Sequence, residues 1–107
     1  MALKGYQKKY LRGLAHSLQP VVQVGQKGPG AALMKSVNEA LDTHELIKVK
    51  FVDYKDKDDK LAIAQEIEKA CGCEMAGMIG HTAIFYRPHK KPEKRRIKVP
   101  ERQEDRD

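Results

Sequence analysis

The chain has little of what small catalytic or cross-linked proteins are built on. Its 107 residues include no tryptophan, and four tyrosines and two phenylalanines are its whole aromatic content. The two cysteines, Cys71 and Cys73, are separated by one residue. That spacing is too tight to organise a disulfide framework, and nothing beside it completes a zinc set. A reducing, cytoplasmic setting is expected. No apolar run approaches the roughly 18–20 residues that a membrane helix needs. The amino-terminal stretch carries Lys4, Lys8, Lys9 and Arg12 among leucines and tyrosines, without the apolar core or cleavage site of a signal peptide. No membrane partner is expected.

Acidic residues are missing from residues 1–38, where Lys4, Lys8, Lys9, Arg12, Lys27 and Lys35 give +6. Residues 39–72 hold nine acids against six bases, and residues 73–86 add Glu74 alone. Residues 87–99 return seven bases against Glu93, another +6, and the last eight residues give −2. The net charge of +6 is therefore two basic blocks flanking an acidic middle. Such segregation is expected of a protein that binds a polyanion, with a solvated lysine-rich surface as the plainer alternative.

The length suits one domain with a modest core. Over residues 6–18, Leu11, Leu14, Ala15 and Leu18 share one helical arc, and Lys8, Arg12 and His16 step by four beside it with Lys9 among them. That places a basic ridge along an amphipathic helix, which Pro20 ends. Val21, Val22 and Val24 suggest a short buried strand. Pro29 is placed for the first turn of a second helix, with Leu33, Val37, Ala40 and Leu41 as its apolar face. In LIKVKFV, residues 46–52, Ile47, Val49 and Phe51 alternate with Lys48 and Lys50, the period of a strand with one covered face. Asp58 or Asp59 is expected to cap a third helix carrying Leu61, Ala64, Ile67 and Cys71, closed by Gly72. EMAGMIG and TAIFYR read as two strands joined by a Gly80-His81 hairpin turn. The expected fold is a compact two-layer α/β domain in the order α-β-α-β-α-β-β with a mixed four-stranded sheet. Residues 1–89 form the domain, and the charged residues 90–107 are expected to be a disordered tail when free.

Residues 20–32, PVVQVGQKGPGAA, concentrate glycine after a strand and before a helix. The spacing from Gly25 to Gly30 opens like a P-loop, but the next two positions are Ala31 and Ala32. No lysine or hydroxyl is then available for a nucleotide's phosphates and magnesium. A dinucleotide fingerprint also fails, because position 33 is leucine. What remains is Gly25-Gln26-Lys27-Gly28, two glycines that admit a sugar-phosphate chain, loop amides that donate to phosphate, and one lysine. A loop of this form clamps the nucleic-acid backbone in KH domains, and a simple tight turn is the alternative.

His16, His44, His81 and His89 lack metal spacing, and no serine or cysteine is paired with them as a nucleophile. His16 either contacts RNA or satisfies a local hydrogen bond, and His81 is a turn residue. Cys71-Gly72-Cys73 departs from the two-residue redox spacing and reads as a helix end with a buried thiol. Met75 and Met78 read as core, and the run Asp56, Asp58, Asp59 as a solvated connector. Tyr86 is favoured as a packing partner of the first helix over a base-stacking role. No cofactor, metal, small-molecule substrate or enzymatic activity is expected.

The stretches YLRGLAHSLQPVVQVGQKG, HELIKVKF and GHTAIFYRP, in that order, resemble the CRM domain family (chloroplast RNA splicing and ribosome maturation), in its small single-domain YhbY-like form. The resemblance covers about residues 5–89. It implies an RNA-binding module shaped like the C-terminal domain of translation initiation factor three. Free-standing members associate with precursors of the large ribosomal subunit, and multi-domain plant relatives serve intron splicing. Carried over by position, the family's glycine loop is Gly25, Gln26, Lys27 and Gly28. Its helix motif is Arg12, Ala15 and His16, and its last-strand signature is Tyr86, Arg87 and Pro88. The expected RNA-binding set is thus Lys8, Lys9, Arg12, His16, Gly25, Gln26, Lys27, Gly28 and Arg87. The expected role is a monomeric factor on ribosomal RNA in large-subunit precursors. A splicing or chaperone factor away from the ribosome, or a protein-interaction module, are the alternatives.

Overall fold

Two hydrophobic clusters, one on each side of a sheet, organise the chain. The computed structural model describes residues 2–25 and 28–102. Helix α1 (Gly5–Ala15) buries Leu11 and Ala15, four residues apart on one stripe. Its start is held from outside, since the Leu3 amide donates to both oxygens of Glu74 at 3.1 and 2.8 Å. The helix is shorter than the leucine spacing suggests. Leu18 N donates to Ala15 O at 2.9 Å, closing a turn, and Leu14 and Leu18 stay partly exposed, at 40% and 37%.

Strand β1 (Val22–Val24) pairs parallel with β2 (Leu46–Phe51), and α2 (Ala31–His44) makes the crossover. Helix α3 (Lys57–Cys71) leads to the hairpin of β3 (Glu74–Ile79) and β4 (Thr82–Tyr86). The sheet order is β1-β2-β4-β3, so β4 lies between β2 and β3 and runs antiparallel to both. The hairpin turn has Gly80 at φ +60, the glycine-first arrangement of a tight two-residue turn. Lys60, almost fully buried, donates from Nζ to Gly80 O at 3.0 Å and pins that turn to α3.

The element order and the mixed four-stranded sheet are as expected, but the layer count is not. On one face Ile47, Val49, Phe51, Ala83 and Phe85 pack with α2 and α3. On the other, Leu46, Ala76, Ile84 and Tyr86 pack with Leu11 and Ala15 of α1. The domain therefore has three layers rather than two. The alternation in β2 hides this, because Lys48 and Lys50 occupy the second face where α1 no longer covers it.

Two helix starts also differ. Asp56, not Asp58 or Asp59, caps α3, accepting from Asp58 N at 2.8 Å. Asp58 and Asp59 instead lie in the first turn, where their charge favours the positive helix end. Pro29 lies outside α2, because Gly30 is the N-cap in an extended conformation, φ −144. Gly72, at φ +60 and ψ 40, closes α3 as expected.

The chain beyond His89 departs from the expected disordered tail over its described part, residues 90–102. Arg96 N and Ile97 N donate to Glu45 Oε1 at 2.7 and 3.3 Å, and His89 N donates to Glu45 Oε2 at 2.7 Å. Ile97 and Val99 pack against the α1-side cluster. The low apolar content conceals this, since a buried carboxylate and two aliphatic side chains suffice to fix the segment.

Candidate nucleic-acid interface

Arg12 is held across the sheet by an irregularity in β3. The pairing of β3 with β4 skips from Met75 to Gly77, and the carbonyl of the intervening Ala76 accepts from Arg12 Nη1 at 2.9 Å. The Arg12 stem lies directly over Gly77, where a Cβ would sit 2.6 Å from its Cδ. Arg12 is thus half-buried and oriented, with further guanidinium donors remaining. Lys8 lies 3.9 Å from Glu74, while Lys9 and His16 are exposed. His16 follows the helix directly, and its carbonyl and that of Leu18 accept from Lys48 Nζ at 3.3 and 3.0 Å. A strand lysine thereby satisfies carbonyls that the end of α1 leaves open.

The glycine loop leaves β1 at Gly25. Gly25 O accepts from Gly28 N at 3.0 Å and from the Tyr54 hydroxyl at 3.2 Å. Tyr54 is itself set edge-on to Phe51, with ring centroids 6.2 Å apart. Gly28 is at φ +70, and a Cβ there would meet the Tyr54 hydroxyl at 3.3 Å. Among the described residues, chain neighbours aside, no atom lies within 4 Å of a Cβ built on Gly25. Gln26 and Lys27 lie outside the described residues. Among the described residues no side-chain hydrogen bond caps α2, and no acid lies in its first turn. The positive end of that helix opens beside the loop.

Between α1 and the loop the α1 face of the sheet is only partly covered. A cavity of about 370 Å³ is lined there by Arg12, His16, Lys48, Ile79 and Thr82 among others, and no acid among the described residues is in its wall. Gln23 and Lys50, exposed on neighbouring strands, extend the same sheet face. Lys48 and Lys50 are missing from the set the sequence suggests. Their alternation with Ile47, Val49 and Phe51 was the signal, since it puts both on the face opposite the α2 and α3 core.

Arg87 is not brought to this surface. Its guanidinium donates to Asn38 Oδ1 at 2.7 Å, Asn38 O at 3.1 Å, Asp42 Oδ1 at 2.8 Å and Cys71 O at 2.6 Å. It joins α2 to the end of α3 on the far side of the sheet. Of the expected RNA-binding set, Arg87 therefore stands apart, its planar fork engaged with four acceptors within the domain. The sequence could not show it, because the partners lie 16 to 49 residues away.

The model of the CRS1 / YhbY (CRM) domain family matches residues 3–87. The chain belongs to that family. Similar proteins include "Probable RNA-binding protein YqeI" of Bacillus subtilis, 36% identical over 92% of this chain and 99% of that one. An "RNA-binding protein" of Haemophilus influenzae is 38% identical over 88% of this chain and 91% of its own length. The solution structure of SAV1595 from Staphylococcus aureus matches with a TM-score of 0.78 at 34% identity, covering 92% of this chain and all of that one.

Within this CRM domain the two cysteines and Tyr86 are taken up by packing. Both cysteines are free and buried. Burial, reinforced by the neighbouring Cys71 and Glu68, pushes the Cys73 thiol up to about 12. Tyr86 is buried in the α1-side cluster. Burial and the nearby Glu45 carboxylate raise its phenol, against the opposing effect of Arg95. Among the described residues no three His, Cys, Asp or Glu side chains form a group able to hold a metal ion.

Proposed function

We propose that this CRM domain binds RNA through the surface that joins the basic side of α1, the open α1 face of the sheet and the glycine loop. The observation that carries the reading is the cavity walled by Arg12, His16 and Lys48 with no acid among its described lining, beside a loop where the described residues leave room at Gly25 for a sugar-phosphate chain. The names of the relatives support the same class of ligand. Cationic side chains and loop amides give affinity through phosphates with little sequence preference. The finer proposal is that the ligand is ribosomal RNA in precursors of the large subunit. It is supported by the resemblance to free-standing family members, and the protein would act in the cytoplasm as a monomeric, non-enzymatic assembly factor.

The test is RNA binding by the wild type and by a Lys9→Glu, Lys27→Glu, Lys50→Glu variant over a range of salt. For every phosphate no longer neutralised by a lysine, the slope of log K against log salt should fall by about 0.7 to 0.9. The variant is expected to bind at least about tenfold more weakly at low salt, with a shallower slope. Unchanged affinity and slope would remove this surface from the proposal. Gradient sedimentation separates the finer reading from its rivals. Migration with large-subunit precursors supports an assembly role, and absence from all ribosomal fractions replaces it with an RNA-binding role elsewhere.

A further inference from the structure

We propose that residues 89–102 are a second cationic arm of the interface, fastened by Glu45 and taking the sugar-phosphate backbone of the same RNA. The inference rests on the RNA-binding reading above and adds a site to it. The segment attaches through its backbone and its apolar side chains. Glu45, 3% exposed at the end of α2, accepts from the amides of His89, Arg96 and Ile97, and its own carbonyl accepts from Arg87 N at 2.8 Å. The short 3-10 turn Pro92–Lys94 lies within the span that these bonds bracket. Further on, Ile97 and Val99 enter the cluster that holds Leu11 and Tyr86, and Gln7 Nε2 donates to Pro100 O at 3.0 Å. The Arg102 amide donates to the Tyr6 hydroxyl, and its guanidinium stacks 4.1 Å over the Tyr6 ring.

This mode of attachment leaves the charges outward. Lys90, Lys91, Lys94, Arg95, Arg96 and Lys98 are all exposed, against the acids Glu93 and Glu101. Glu45 also keeps a non-glycine residue at φ +64, a backbone state that costs energy and is retained where the side chain compensates. The compensation here is three amide bonds to one carboxylate.

The position of the arm defines its ligand. Glu45 precedes β2, and the glycine loop lies by the other end of that strand, where Val52 N donates to Val24 O at 2.9 Å. Six residues of strand span about 20 Å. Cations at both ends of the sheet require a polyanion long enough to reach across it. A mononucleotide or a very short oligonucleotide fits one end only.

The experiment uses the full chain and two RNA probes, one of about four nucleotides, the length a glycine loop of this type clamps, and one of about 16. A Lys91→Glu, Lys94→Glu, Lys98→Glu variant leaves every fastening bond in place. It should bind the long probe at least about tenfold more weakly, with the salt slope lower by about two to three, and the short probe as the wild type does. Glu45→Gln adds a unit of positive charge while weakening the fastening. It should nevertheless bind the long probe several-fold more weakly, whereas equal or tighter binding overturns the role of Glu45. Equal binding of the long probe by the triple variant overturns the arm, and is also the result expected if the arm serves an acidic protein. The Lys9→Glu, Lys27→Glu, Lys50→Glu variant separates the two readings. Loss of binding there with no loss in the arm variant leaves the main surface standing, and a wild type that binds neither probe removes both.

Discussion

At the scale of the residue, the two glycines that bound the loop are there for different reasons. Gly28 is needed by the chain itself, because its φ of +70 and the Tyr54 hydroxyl leave a side chain strained and crowded. Gly28→Ala should cost about 1–2 kcal/mol of stability, measured by denaturant unfolding. Gly25 has open space around its missing side chain among the described residues, and no positive φ. Nothing among the described residues calls for glycine there. If the space is kept for a sugar-phosphate chain, Gly25→Ala should leave stability within about 0.5 kcal/mol of wild type and still weaken RNA binding several-fold. Equal affinity would reduce the loop to a tight turn, the alternative its spacing allows. The motif itself was legible in the sequence, but this division of labour was not. It depends on Tyr54, which comes from a connector and reaches back across 29 residues to Gly25.

At the scale of the element, local rules carried the sequence reading well and long-range ties did not. Each strand and helix follows from a period or a breaker: the valines of β1, the alternating β2, Gly72 at the end of α3 and Gly80 in the hairpin. The second layer on the α1 side was hidden, because Leu46 is the one buried β2 residue on a face otherwise occupied by lysines. Arg87 is the sharper case. Beside Tyr86 and Pro88 in a family signature it reads as a binding residue, yet it donates to three residues of α2 and α3. Lysine keeps the charge but cannot present the planar fork. Arg87→Lys should therefore lower stability by about 2–3 kcal/mol, because it removes charge-assisted hydrogen bonds. RNA affinity and salt slope, measured where the variant remains folded, should be unchanged. A variant of full stability with a reduced slope would return Arg87 to the interface.

At the scale of the whole molecule, one buried acid ties the second basic block of the sequence to the domain. Glu45 belongs to the acidic middle, where charge counting gave it no special place, and its partners lie 44 to 52 residues further along. Burial alone would raise its pKa. The amides of Arg96, His89 and Ile97, with the charge of His89, more than offset burial and hold it below its ordinary 4.5. A carboxyl whose folded value is depressed gives stability that is fully present above its unfolded value and is lost as pH falls through the folded one. The arm should accordingly stay fastened at neutral pH and begin to loosen only below about 4.5. In an NMR titration the amide protons of His89, Arg96 and Ile97 should move together with one midpoint under that value, because they share one carboxylate. Glu45→Gln should abolish this common transition while leaving the amides of β2 and β4 unperturbed. Separate midpoints for the three amides, or a shared midpoint above 4.5, would mean that Glu45 does not hold the arm.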